Sequence, residues 1–220
     1  MLIMAHTGIT LGLAYILDLA VTPNFNKRVG RANREPPEQG HAATHASNGA
    51  GFSRTSPSLD EARHRVGFHV DYRFILLGAL LPDLVDKPIG NFFFREIFNN
   101  GRIFSHTLLF LILCVLIATY FLLGKKQYWA LFVAFGVLVH LLLDGMWYEP
   151  LTFYWPFLGW SFYKYDGMTP GPWVQRMLLD LFTKPVIYVS EISGALIFIF
   201  FFIKVIVQKK VRAFIFHGIL

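Results

Sequence analysis

Long apolar runs decide what this chain can be. Residues 2–21, 103–123, 128–147 and 186–207 are each about as long as the ~20 mostly apolar residues that a bilayer-crossing helix needs. A fifth run, residues 72–85, is shorter and spans if residues 68–71 extend it or if its end lies in a protein-lined pocket. Within lipid every backbone N–H and C=O must be satisfied inside the protein, which an α-helix achieves alone. The expectation is an all-α polytopic membrane protein: one domain over residues 1–220, a bundle of about five transmembrane helices. Composition agrees, since only 15% of the residues are charged, against about one quarter in soluble domains. The 23 Phe and 5 Trp suit lipid contact and interfacial belts. The first run lacks a basic leader and a clear cleavage site and carries His6 and Asp18, so it reads as a retained helix.

Two segments break this pattern. Residues 24–67 are rich in Gly, Ser, Pro, Asn and Arg, without apolar periodicity, and read as a mobile polar insertion. Its His41, His45 and His64 read as solvated loop histidines. Residues 148–172 hold Trp155, Pro156, Trp160 and Tyr163 and read as an irregular loop at the membrane surface, followed by a short amphipathic helix over residues 173–182. The lone Cys114 excludes an intrachain disulfide and a Cys-based zinc motif. The net charge is +6, but the basic residues lie mostly in loops beside apolar helices. There they set topology and meet anionic lipid, so the expected partner is membrane lipid and not nucleic acid. Alternation through five spans puts twelve Lys and Arg on the side of the 24–67 segment and the C-terminus, and six on the other. Basic residues favour the cytoplasm, so a multi-pass protein of the cell membrane is expected, N-terminus outside and C-terminus cytoplasmic.

Ionisable side chains gather at one end of the spans. His6 lies near the start of the first; Asp83 and Asp86 end the second; Arg102, Ser105 and His106 open the third; His140 and Asp144 end the fourth. By alternation all reach the same membrane face. An Asp near the bilayer centre costs about 2.5–3.5 kcal/mol on insertion scales, and such groups pair, face a bundle interior or line a pathway. His140 and Asp144, four residues apart, share a helix face. Imidazole nitrogen and carboxylate oxygen together suit borderline divalent metals. His6, Asp83, His106, His140 and Asp144 are therefore candidate metal ligands. Alone, each has an ordinary reading, as an interfacial, helix-ending or hydrogen-bonded polar residue. Glu191 either joins the site or caps its helix, His69 lies on the opposite side, and His217 reads as a tail residue.

Four motifs in order carry a resemblance: Ala5-His6-Thr7; Leu81-Pro82-Asp83-Leu84-Val85-Asp86-Lys87-Pro88; Arg102-Ile103-Phe104-Ser105-His106-Thr107; and His140-Leu141-Leu142-Leu143-Asp144. With Tyr154-Trp155-Pro156-Phe157, they resemble the membrane-bound metal-dependent hydrolase family. A more distant similarity is to zinc phospholipase C. Many members read Pro-Asp-x-Asp, whereas here the second acid falls one residue later, at Asp86. The resemblance implies one or two divalent ions, zinc or manganese, on the five ligands. It implies hydrolysis of a phosphoester or lipid-linked substrate at the extracytoplasmic interface. Asp86 would then accept a proton from water or complete a second site. Lys87, Arg102 and Ser105 would hold an anionic substrate, Arg being suited to bidentate phosphate contact. The same cluster would equally serve an ion transporter or sensor, or a non-catalytic membrane protein packed around polar residues.

Overall fold

A computed structural model describes residues 3–32, 70–164 and 170–218. Among the described residues every regular element is helical. These are α1 (Ile3–Ala32), α2 (Tyr72–Pro88), α3 (Leu108–Lys125), α4 (Trp129–Leu143), the one-turn α5 (Pro150–Phe153), α6 (Pro170–Thr183), α7 (Pro185–Val207) and α8 (Val211–His217). A π-helical turn, Ile89–Phe93, follows α2, and a 3-10 turn, Met146–Tyr148, follows α4. The chain divides into two compact units, Met1–Tyr15 with Val70–Leu220, and Ile16–His69; the boundary falls within α1. In the second unit the described part is the helix as far as Ala32. Residues 24–32, expected as loop, therefore prolong α1 past Pro23. Asn, Lys and Arg there are compatible with helix once the apolar turns before them have nucleated it. The rest of the 24–67 segment, with His41, His45 and His64, and His69 beyond it, lies outside the described residues.

Among the described residues, three helical stretches are long and apolar enough to cross a membrane: Met4–Val21, Leu108–Lys125 and Pro185–Val207. The sequence suggested about five. Helices α2 and α4, with 17 and 15 residues, are shorter than that criterion. Local chemistry shortens two of the runs. The run beginning at residue 103 becomes helical only at Leu108, where Thr107 Oγ1 accepts from Phe110 N at 3.1 Å as an N-cap. The run 128–147 leaves the helix after Leu143, and Gly145 takes φ +63°, a left-handed value that glycine adopts without penalty.

In the larger unit α4 packs chiefly on α2, and then on α3. Glycine sets how near the backbones come. A Cβ on Gly78 would collide with the Val133 backbone, and one on Gly136 with the backbone around Ile75 and Gly78. Gly8 of α1 and Gly194 of α7 make a second contact of this kind. Small residues permit such close packing where lipid supplies no hydrophobic drive between helices. Val137, Leu141 and Met146 form the apolar floor beneath the polar cluster, with Leu81, Phe110 and Leu111 packed against them. The outer sides of α3 and α7 expose Leu116, Ile117, Leu196 and Phe200, the apolar coat that lipid covers in a membrane helix.

Candidate metal centre

One carboxylate organises the non-helical entry to α3. Asp86, near the end of α2, is fully buried. It accepts from Ile103 N at 2.8 Å, Ser105 N at 3.0 Å, Ser105 Oγ at 2.8 Å and His106 N at 3.2 Å. Hydrogen bonds to an ionised group contribute about 1.5–3 kcal/mol each. Residues 103–106 are thus wound around Asp86 instead of forming the first turn of a helix. His106 Nδ1 lies 2.7 Å from Asp86 Oδ2. An ionised carboxylate only accepts, so Nδ1 carries the proton and Nε2 turns a lone pair inward.

His140, in the last turn of α4, is fixed in the same tautomer. Its Nδ1 lies 2.7 Å from the Ala79 carbonyl, which can only accept. Its Nε2 stands 3.2 Å from His106 Nε2. Two lone pairs facing at this distance require a cation between them, either a proton on one ring or a metal ion. Two carboxylates flank these nitrogens. Asp83 Oδ1 is 3.7 Å from His106 Nε2 and 4.0 Å from His140 Nε2. Asp144 Oδ2 is 3.6 Å and 4.0 Å from the same two atoms. Donors about 2.1 Å from one ion at tetrahedral angles stand about 3.4 Å apart. A shared proton would account for the nitrogen pair alone; a divalent ion at the two nitrogens would also have carboxylate oxygens beside it. The residues present therefore fit a metal.

His6 reaches the cluster from α1. Its ring is 1% exposed and stacks on His140 with centroids 4.2 Å apart. Nε2 stands 3.1 Å from Asp144 Oδ1, without the alignment of a hydrogen bond. The five candidate ligands fall into two overlapping triads, His6-His140-Asp144 and Asp83-His106-His140, each with its ligand atoms within 4.8 Å of one another.

Cations line the outer edge. Lys87 Nζ pairs with Asp83 Oδ2 at 2.6 Å, across one helical turn. Arg102 Nε pairs with Asp144 Oδ2 at 3.0 Å and its Nη1 with Glu149 Oε1 at 2.6 Å, with 29% of the side chain exposed. Asn100 Oδ1 accepts from Arg102 N, while its Nδ2 donates to Tyr163 O at 2.8 Å, pinning the aromatic segment beside the arginine. There Trp155 stacks on Phe162, and Trp160 and Tyr163 are exposed. Ser105, expected to touch substrate, is 1% exposed with its hydroxyl given to Asp86. Glu191 accepts from Ala5 N at 3.2 Å, serving the start of α1, where the first backbone N–H groups lack helical partners. His217 is exposed at the end of α8. Glu149, Asn100 and the Ala79 carbonyl were not foreseen. Glu149 offered a weak signal as a lone acid, in Trp147-Tyr148-Glu149-Pro150; a backbone carbonyl offers none.

The model of one protein family, described as YdjM inner membrane protein, matches residues 40–213. That match contains Asp83, Asp86, Arg102, His106, His140, Asp144 and Glu149, and begins after His6. No curated protein and no solved structure matches the chain. The family description names a membrane location and carries nothing of hydrolysis or of phospholipase C. The match covers well over half of the residues, and the helices agree with a membrane location: the chain belongs to the YdjM inner membrane protein family.

Proposed function

We propose that this chain is a membrane-embedded metal-dependent hydrolase acting on a phosphoester at the lipid–water interface. The observation that carries this reading is the His106–His140 pair: both Nδ1 atoms are taken by acceptors, the two Nε2 atoms face each other at 3.2 Å, and Asp83 and Asp144 each place a carboxylate oxygen within 4.0 Å of both. Asp83, His106, His140 and Asp144 would hold a divalent ion, zinc or manganese, with His6 supporting Asp144. Such an ion, when bound, brings the pKa of its water to about 7 and polarises a phosphoryl oxygen.

Each residue then has a definite task. Asp86 orients His106 and raises its basicity as a ligand. Its oxygens are taken up by residues 103–106, so it would position a ligand, in place of the two tasks the sequence suggested, accepting the water proton or completing a second site. Arg102 and Lys87, partly exposed at the rim, offer positive charge to a phosphate. Arg102 supplies the planar fork that suits bidentate contact. Trp160 and Tyr163, exposed beside them, suit the headgroup region of a bilayer. A lipid-linked phosphoester is accordingly the favoured substrate. We further propose that α2 and α4 complete a five-span bundle, N-terminus outside, with the site at the extracytoplasmic face.

The test is turnover of phosphodiester and phospholipid substrates by detergent-purified protein, measured with zinc, with manganese and after chelation. Metal-dependent turnover that falls at least 100-fold in His140→Ala is expected. Equal metal content and equal activity in wild type and variant would end the proposal.

A further inference from the structure

We infer that the cluster is built for one divalent ion, with Arg102 and Lys87 standing where a second ion would otherwise be needed. This rests on the metal reading above and adds its nuclearity.

The first ground is the donor set. The two triads both draw on His140. Nδ1 of that ring is committed to the Ala79 carbonyl, which leaves Nε2 as its one inward lone pair, and one lone pair serves one ion. The triads therefore cannot be filled together. The donors nearest the two imidazole nitrogens, His106 Nε2 and His140 Nε2, are Asp83 Oδ1 and Asp144 Oδ2, each 3.6–4.0 Å from them. His6 approaches the other oxygen of Asp144, Oδ1. It belongs to the support of Asp144 and not to the inner set.

Charge is the second ground, and it is independent of donor geometry. Four carboxylates ligate, orient or flank the centre: Asp83, Asp86, Asp144 and Glu149. Lys87 and Arg102 are paired with them. With the histidines neutral this leaves two negative charges, which one divalent ion cancels. A second ion would add two positive charges that these carboxylates no longer offset, which is unfavourable beside the buried imidazoles and Asp86. Lys87 also occupies Asp83 Oδ2, the oxygen other than the one that faces the imidazoles, where a bridging second ion would bind, and Arg102 places its charge on Asp144 Oδ2 itself. The chemistry that follows is a one-metal hydrolysis. His106, His140, Asp83 and Asp144 would hold the ion that supplies an activated water, and Arg102 and Lys87 would neutralise the phosphoryl group in place of a two-metal clamp.

Stoichiometry tests this. Full-length protein in detergent is saturated with Zn²⁺ alone, freed of excess, and analysed for zinc per chain; titration with Co²⁺, followed by visible absorption, gives an independent end point. One ion per chain is expected in wild type and in His6→Ala, and none in His140→Ala. Elution of each variant as a single species in size-exclusion chromatography shows that loss of metal is not loss of fold, and the wild-type ratio decides even if a variant fails. Two ions per chain in wild type, or one retained in His140→Ala, overturns the inference while leaving a metal protein. Complete loss of zinc in folded His6→Ala overturns the place given to His6. No zinc or cobalt in wild type removes the metal reading itself.

Discussion

The inner atoms of this site are set by residues that never face its centre. Asp86 is the main one. It holds three backbone or side-chain donors of residues 103–105 and fixes the His106 ring. Asp86→Asn keeps the shape but loses an acceptor and a charge. Metal affinity should fall about 10–100-fold, the usual consequence of disturbing a partner behind a ligand. Zinc competition against a chromophoric chelator measures it, and unchanged affinity would deny Asp86 this role. Arg102→Lys should preserve charge at the rim yet lose the fork that joins Asp144 to Glu149. The expected result is near-normal zinc content with at least tenfold weaker kcat/KM on phosphodiesters; loss of zinc with intact kinetics per bound ion would contradict it. Which acids and imidazoles meet was legible in the sequence, because charged groups near apolar spans need partners. What Asp86 does was not. That depends on the backbone of residues 103–106 curling around it, a feature with no periodicity to read.

The helices act by bringing backbones close and by ending in the right place. Gly78 and Gly136 let α2 and α4 touch, which puts Asp83 beside His140. Gly136→Leu would force the pair apart. It should lower stability by about 1–3 kcal/mol, the usual range for overpacking, and weaken zinc binding with it. Thermal unfolding in detergent checks the first effect and metal content the second; a variant of normal stability that binds zinc normally would show that the close approach is dispensable. Apolar runs located α2, α3, α4 and α7 well, because lipid-facing and core-facing residues alike must be apolar. They misplaced the ends, since the same apolar letters continue into Ile103 and Phe104 before α3, and into Met146 and Trp147 after α4. Capping by Thr107 and the turn at Gly145, not hydropathy, decide where those helices stop.

At the scale of the whole molecule, the His/Asp end and the opposite end of α2 are built differently. At the far end Arg73 pairs with Asp71 and donates to Ile215 O, and Tyr72 N donates to Gly218 O, so the C-terminal helix α8 is fastened to the start of α2. The charge bias between the loops predicts that this end faces the cytoplasm. Reporter fusions at the two termini should place the N-terminus outside and the C-terminus inside; the reverse would move the metal centre to the cytoplasmic face. Family membership places the chain in a membrane without giving it a chemistry; the proposed chemistry rests on α1, α2, α4 and the entry to α3 bringing His and Asp side chains together. Zinc K-edge absorption of the loaded, detergent-purified protein tests that convergence most directly. The account predicts a four- or five-coordinate nitrogen–oxygen shell at about 2.0–2.2 Å with the scattering pattern of two imidazoles, lost in the His106→Ala, His140→Ala double variant. A shell of oxygen alone, or one unchanged in that variant, would contradict it.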